Sequence, residues 1–132
     1  MEGENRRAVP VRVLVADDNR AFRRGMTRAV QGHGGLELVG EVDCGEAALG
    51  AIERLHPDIV LLDLRMPDLD GLSVLARLHA AQPRPTCRVL IVSASLDDEV
   101  EREADAAGAA GCIGKDVPRA DICAEALRLA RQ

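Results

Sequence analysis

Residues 58–71 have the sequence Asp58-Ile59-Val60-Leu61-Leu62-Asp63-Leu64-Arg65-Met66-Pro67-Asp68-Leu69-Asp70-Gly71, and this stretch decides the fold. Four consecutive apolar residues between polar ones are typical of a short strand that is buried on both faces, as in a parallel sheet. Asp63 follows this strand and precedes a turn-rich segment. Ligands collect at the carboxyl ends of strands in an open α/β sheet, so Asp63 is a candidate site residue. A turn or helix-capping role is the alternative for a single aspartate.

The composition describes one globular domain. The chain has 132 residues, of which 47% are hydrophobic and 30% are charged. Phe22 is the only aromatic residue, so the core must be aliphatic. A net charge of −5 argues against nucleic-acid binding by this domain itself, because such binding needs clustered Lys and Arg. No segment has the length of a membrane span or the pattern of a signal peptide, and we therefore expect a cytoplasmic protein without membrane contact.

The four cysteines do not form a recognisable metal or redox motif. Cys44, Cys87, Cys112 and Cys123 include no Cys-x-x-Cys pair and have no nearby histidine at ligand spacing. Cys87 and Cys112 lie in predicted strands and Cys123 in a predicted helix. We interpret these residues as buried thiols.

The chain alternates between predicted strands and helices after a flexible leader over residues 1–10. Strands are predicted at 11–16, 36–42, 59–62, 87–92 and 111–114, with the second at an edge of the sheet. Helices are predicted between Asn19 and Gly32 and at 45–55, 71–80, 97–107 and 118–130. Five β–α units in succession predict an α/β fold, a doubly wound parallel sheet with helices on both faces. We take the strand order 2-1-3-4-5, common among such sheets, as a hypothesis.

Polar side chains follow four of the five predicted strands. They are Asp17 and Asp18, Asp63, Ser93, and Lys115. In the order 2-1-3-4-5 all of them line one crevice. Three clustered carboxylates repel one another, and an oxygen-only ligand set suits Mg²⁺ or Mn²⁺. A lysine and a serine hydroxyl suit phosphoryl oxygens, so the sequence predicts a phosphoryl-transfer site with a carboxylate nucleophile.

Residues 11–130 resemble the receiver domain of two-component response regulators. The resemblance is carried by Leu14-Val15-Ala16-Asp17-Asp18-Asn19, by residues 61–71, by Ser93-Ala94 and by Lys115. It implies a flavodoxin-like receiver fold in which Asp63 accepts a phosphoryl group from a sensor histidine kinase. It further implies that Asp18, Asp63 and the backbone carbonyl of Arg65 ligate Mg²⁺, that Asp17 acts through water, and that Ser93, Ala94 and Lys115 bind phosphoryl oxygens.

Details of the sequence are similar to receivers attached to LuxR/NarL-type helix-turn-helix domains. These details are Arg65-Met66-Pro67, the segment 106–111 and Lys115-Asp116. Two positions depart from the common pattern. Asp116 follows the lysine where many receivers have proline, which excludes a cis-proline turn there, and Cys112 occupies the position that usually holds a switch tyrosine or phenylalanine.

The resemblance also implies a function in the control of transcription. Phosphorylation would switch a surface formed by the fourth helix, the fifth strand and the last helix, and would promote homodimerisation. That surface would control a DNA-binding effector domain, which we expect to lie outside this chain. A receiver is not an enzyme in the usual sense, although it catalyses its own phosphotransfer and a slow autodephosphorylation.

Three alternatives remain open on the sequence alone. The chain could be a stand-alone receiver in a phosphorelay. A hydrolase of the haloacid dehalogenase type would need a second acid two residues after Asp63, where this chain has Arg65. A flavodoxin-like cofactor protein would need phosphate-binding donors after the first strand, where Asp17 and Asp18 would repel a phosphate.

Overall fold

The computed structural model describes residues 9–132. Its ten elements are β1 (Val11–Ala16), α1 (Arg20–Gln31), β2 (Leu36–Val42), α2 (Gly45–Leu55), β3 (Ile59–Leu62), α3 (Gly71–Ala80), β4 (Arg88–Ser93), α4 (Asp98–Ala106), β5 (Gly111–Gly114) and α5 (Arg119–Ala130). Residues 1–8 of the predicted leader lie outside the described part of the chain. In that described part, no helix has the length and apolar character needed to cross a membrane.

The five strands form one parallel sheet in the order β2-β1-β3-β4-β5. This arrangement confirms the predicted fold class, the strand order and the edge position of β2. The chain changes direction across the sheet between β1 and β3, so their carboxyl ends open a crevice. Two backbone hydrogen bonds hold neighbouring strand ends together there. The Asp63 N–H donates to the Ala16 carbonyl at 2.9 Å, and the Lys115 N–H donates to the Ser93 carbonyl at 2.8 Å.

Aliphatic cores lie on the two faces of the sheet. Helices α1 and α5 cover one face with buried residues such as Met26, Val30 and Ile122. Helices α2, α3 and α4 cover the other with residues such as Ile52 and Val74. All four residues of β3 are buried because alternate side chains enter the two cores. The central strand therefore fixes the position of Asp63 from both sides.

Three helices begin at a side-chain cap. Asn19, Asp70 and Asp97 each accept a hydrogen bond from the backbone N–H three residues later, at 2.8–2.9 Å. Such caps satisfy amide groups that have no partner within the helix. Two of the three caps lie beside the crevice, directly after Asp18 and directly before Gly71. The helices therefore begin at the edge of the sheet where the site residues lie.

Several local predictions need correction. The sequence predicts Asp97 and Pro118 as the first helical residues of α4 and α5. Both are instead the N-cap residues that precede these helices. Cys87 precedes β4, which begins at Arg88. Cys123 is buried as predicted, but the other three thiols are only half-buried. Cys44, for example, lies at the start of α2, where the chain comes to the surface.

Candidate functional site

The crevice contains a cluster of three carboxylates. Asp17 follows β1, Asp63 follows β3, and both are almost fully buried, with 2% and 5% of their surface exposed. Asp18 is exposed beside them. One carboxylate oxygen from each of the three residues lies within 4.8 Å of the others. This cluster could hold a metal ion, because a cation would offset the repulsion among the carboxylates.

Lys115 brings a positive charge to the cluster. Its ammonium nitrogen lies 2.8 Å from Asp17 Oδ2 and 3.6 Å from Asp63 Oδ1. Its side chain is only 15% exposed. The lysine follows β5, two strands away from β3, and reaches its partners along the carboxyl edge of the sheet.

The pKa of Asp63 is raised from 3.8 to about 6. Burial is the main cause, and the negative charge of Asp17 adds to it, with a smaller effect from Asp18. The positive charge of Lys115 and a hydrogen bond from the Arg65 backbone act in the opposite direction. Asp63 is therefore mainly ionised at neutral pH, and it is a carboxylate that gains from a nearby cation.

Ser93 ends β4 at the same edge of the sheet. It is 5% exposed, and its Oγ accepts a hydrogen bond from the Ser95 N–H at 3.1 Å. Since Oγ acts as the acceptor in this contact, the hydroxyl hydrogen stays available for another partner. The backbone bond between Lys115 and Ser93 connects the ends of β4 and β5.

Two contacts that the sequence did not predict hold Asp17 in place. The Asn19 N–H donates to Asp17 Oδ1 at 2.8 Å. The Arg23 guanidinium donates to the Asp17 carbonyl at 2.8 Å and pairs with Glu41 at 3.0 Å. Arg23 belongs to α1, and no local sequence signal reveals that its side chain turns back to the end of β1.

Asp68 anchors the β3–α3 loop, residues 63–70, to the start of α2. Its carboxylate accepts backbone hydrogen bonds from Gly45 at 2.8 Å, from Glu46 at 3.0 Å and from Leu69 at 2.7 Å. The bonds from Glu46 and Gly45 are the main cause of a pKa lowered to about 2. We name this arrangement the Asp68 anchor.

The far end of the loop is held by a close approach of two backbone segments. Gly71 donates its N–H to the Leu64 carbonyl at 2.8 Å. A Cβ at position 71 would lie 2.6 Å from the carbonyl oxygen of Asp63, too close for any side chain. The loop is thus held at Asp68 and at the closure between Leu64 and Gly71.

A cleft of about 450 Å³ lies beside the cluster, and Asp18 is the residue of the cluster that lines it. It begins at Asp18 and is lined by residues of the β3–α3 loop, including Arg65 and Met66, and by Val100 and Glu103 of α4. A small molecule or a partner side chain in this cleft would lie next to Asp18.

The model of the family described as "Response regulator receiver domain" matches residues 13–127 of this chain. The chain belongs to the response regulator receiver family. Among curated relatives, the "Probable transcriptional regulatory protein NarL" of Mycobacterium tuberculosis is 42% identical over 121 residues, which cover 92% of this chain and 55% of that protein. The response regulator GacA of Pseudomonas aeruginosa is 38% identical over 105 residues, or 80% of this chain and 48% of that protein.

Solved structures agree with this assignment. The signal receiver domain of NarL from Mycobacterium tuberculosis superposes with a TM-score of 0.88 at 40% identity, covering 94% of this chain and 98% of that chain. A LuxR-family two-component response regulator from Aurantimonas sp. SI85-9A1 superposes with a TM-score of 0.82 at 26% identity, over 94% of this chain and 88% of that one. The receiver domain therefore resembles the LuxR/NarL branch, as predicted. It spans about half the length of the curated relatives named above.

Cys112 lies in β5, at the position where the resemblance predicts that other receivers have a switch tyrosine or phenylalanine. It is half-buried in β5 and lines a cavity of about 220 Å³ together with Glu101, Asp105, Ala109 and Gly111. Burial raises the pKa of the thiol, and the charges of Glu101 and Asp105 raise it further. The thiol is therefore protonated at neutral pH and behaves as a small, uncharged side chain.

Proposed function

We propose that this receiver domain accepts a phosphoryl group on Asp63 and thereby switches its α4-β5-α5 surface. The observation that carries the proposal is the position of the Asp63 carboxylate, which lies among two further carboxylates and 3.6 Å from Lys115. Asp63 is also the one acid of the cluster that directly follows the central strand, whose burial on both faces holds the nucleophile in a fixed position.

The reaction is a transfer between two protein side chains. A carboxylate oxygen of Asp63 attacks the phosphorus of a phosphohistidine on a sensor kinase. The P–N bond breaks, its electron pair stays on the imidazole nitrogen, and that nitrogen takes a proton from solvent. Lys115 and the Ser93 hydroxyl, with the Ala94 backbone, then bind the phosphoryl oxygens. Positioning and charge neutralisation supply most of the acceleration of such a step.

Mg²⁺ fits the cluster better than a softer metal because every side-chain donor is a carboxylate oxygen. Asp18 and Asp63 would hold the ion, with the Arg65 backbone carbonyl as a third ligand and Asp17 acting through water. When bound, the ion supplies positive charge to the phosphoryl oxygens. Mn²⁺ has the same preference for oxygen ligands and is expected to replace it.

A groove between α1 and α5 supports a protein partner as the phosphodonor. Its lining includes Arg20, Arg24, Arg28 and Arg119. Within residues 9–132 none of these four arginines takes part in an ion pair. A basic groove in a chain of net charge −5 suits an acidic surface on a sensor histidine kinase.

The output follows from the LuxR/NarL resemblance. We infer that the switched surface controls a DNA-binding effector domain in the cytoplasm, and that phosphorylation favours a homodimer. A role as a stand-alone receiver in a phosphorelay is the alternative.

The decisive experiment is phosphorylation by acetyl phosphate with Mg²⁺, followed by intact-mass spectrometry. We expect one phosphoryl group on the native chain and none on Asp63→Asn. Asp70→Asn is the matched control, because asparagine caps a helix as well as aspartate does, and it should be labelled normally. Labelling of Asp63→Asn at the native level would overturn the assignment.

A further inference from the structure

The ring of Phe22 lies against two cations. The Lys115 ammonium nitrogen is 4.6 Å from the ring centroid, and the Arg119 guanidinium carbon is 5.4 Å from it. Phe22 belongs to the first turn of α1, where its N–H donates to the Asn19 cap at 2.9 Å. The ring is half-buried and packs against the core shared by α1 and α5. The only aromatic side chain of the protein is thus in contact with the lysine of the site.

The contact has a specific physical effect on Lys115. A cation over an aromatic face is attracted by the negative charge density of the ring. The ring offers no oxygen, so it holds the ammonium group without competing for the hydrogen bond to Asp17 at 2.8 Å. A carboxylate in the same place would neutralise the charge that a phosphoryl group needs. Phe22 therefore restrains the lysine and leaves its charge directed toward the cluster.

We propose that Phe22 is a positioning residue for the phosphoryl transfer. It keeps the Lys115 ammonium beside Asp17 and Asp63, and its contact with Arg119 connects the first turn of α5 to the site. This inference rests on the function proposed above. Phe22 has no polar atom, so the pattern of charged residues in the sequence does not reveal this positioning role.

The structural contact can be tested without any phosphorylation. Three histidines and one phenylalanine are the only sources of ring-current shifts in this chain. We expect the Lys115 side-chain methylene protons to resonate upfield in the native protein and in Phe22→Tyr. In Phe22→Leu, which keeps an apolar side chain, the shift should disappear. Unshifted Lys115 protons in the native protein would overturn the inference.

The functional role is tested by the rate of labelling from acetyl phosphate with Mg²⁺. We expect Phe22→Leu to be labelled about 2- to 10-fold more slowly, the range expected for loss of one cation–π contact, and Phe22→Tyr to keep the native rate. Phe22→Met serves as a second apolar variant if the leucine variant does not fold.

A double-mutant cycle separates positioning from a general loss of structure. In a Lys115→Gln background, Phe22→Leu should cause no further slowing, because the lysine that the ring positions is gone. Equal slowing in both backgrounds, or a native rate in Phe22→Leu, would contradict the positioning role. If the native chain is not labelled at all, the proposed function itself fails, and this is a different result from either of those.

Discussion

Asp63 meets two demands that oppose each other. Burial at the end of β3 fixes the carboxylate for reaction, yet the same burial disfavours its charge. Asp17 has a similar position but different partners, since Lys115 and the Asn19 N–H both bind its oxygens at 2.8 Å. The two buried acids of the cluster therefore differ in availability. Asp63 is the one whose charge still needs compensation.

The raised pKa of Asp63 predicts a gain in stability for Asp63→Asn without metal. Between pH 3.8 and about pH 6, Asp63 keeps its proton in the folded state but has lost it in the unfolded state. The free energy of unfolding therefore falls as the pH rises through this range. At neutral pH the ionised Asp63 costs up to about 3 kcal/mol, and we expect Asp63→Asn to recover about 1–2 kcal/mol of it.

Urea unfolding followed by circular dichroism in EDTA measures this gain. The difference between native chain and variant should be large at about pH 7 and small at about pH 4, where the folded native chain already carries the proton. A difference that does not change with pH would contradict the assigned cause.

Metal affinity should depend on Asp18 more than on Asp17. Asp18 is exposed and makes no ion pair within residues 9–132, whereas the Asp17 carboxylate is already bound on both oxygens. We expect Asp18→Asn to weaken Mg²⁺ binding by at least about tenfold, roughly 1.4 kcal/mol, and Asp17→Asn to weaken it less. An NMR titration is the suitable measurement because the chain has no Trp or Tyr for fluorescence. The ligand assignment is wrong if Asp18→Asn titrates like the native chain.

Among the helices, α4 has the weakest attachment to the core. Of its nine residues only Ala104 is buried. Its acidic first turn suits the helix dipole, but Glu103 and Asp105 continue the negative charge, and the last turn has no basic residue. An element with so little buried apolar surface has low local stability. We therefore expect α4 to be the element that changes its position if Ser93, at the end of the preceding strand, binds a phosphoryl group as proposed.

We expect a beryllofluoride phosphate analogue to change amide hydrogen exchange mainly at residues 93–107. Cys112→Ala should leave this change largely intact, because a cysteine is too small to act as an aromatic switch residue. The response would then pass through the backbone of Ser93-Ala94-Ser95 and through α4. Hydrogen exchange of both proteins, with and without the analogue, tests this. Loss of the response in Cys112→Ala would mean that the thiol itself is the switch.

Much of this architecture could be predicted because local sequence patterns determine where most strands and helices begin and end. The structure has β1, β2, β3, β5, α2 and α3 with the predicted bounds. β1, for example, is an apolar run that ends at the polar pair Asp17-Asp18, and α2 ends two residues before Pro57. The cluster could also be predicted, since the carboxyl ends of parallel strands meet at one edge. Long-range side-chain contacts could not. The position of Phe22 over Lys115, separated by more than ninety residues, depends on packing that no local pattern records.

The Asp68 anchor makes the two sides of the crevice unequal in rigidity. On one side of Asp63 the β3–α3 loop is held to α2, because the Asp68 carboxylate accepts hydrogen bonds from the N–H groups of Gly45 and Glu46. The same loop closes at Gly71 by a close backbone contact. On the other side stand Ser93 and a loosely packed α4. A phosphoryl group added between these two sides would displace the Ser93 and α4 side and leave the anchored loop in place. We therefore expect the conformational change to spread from the site toward α4 and β5, while the position of α2 does not change.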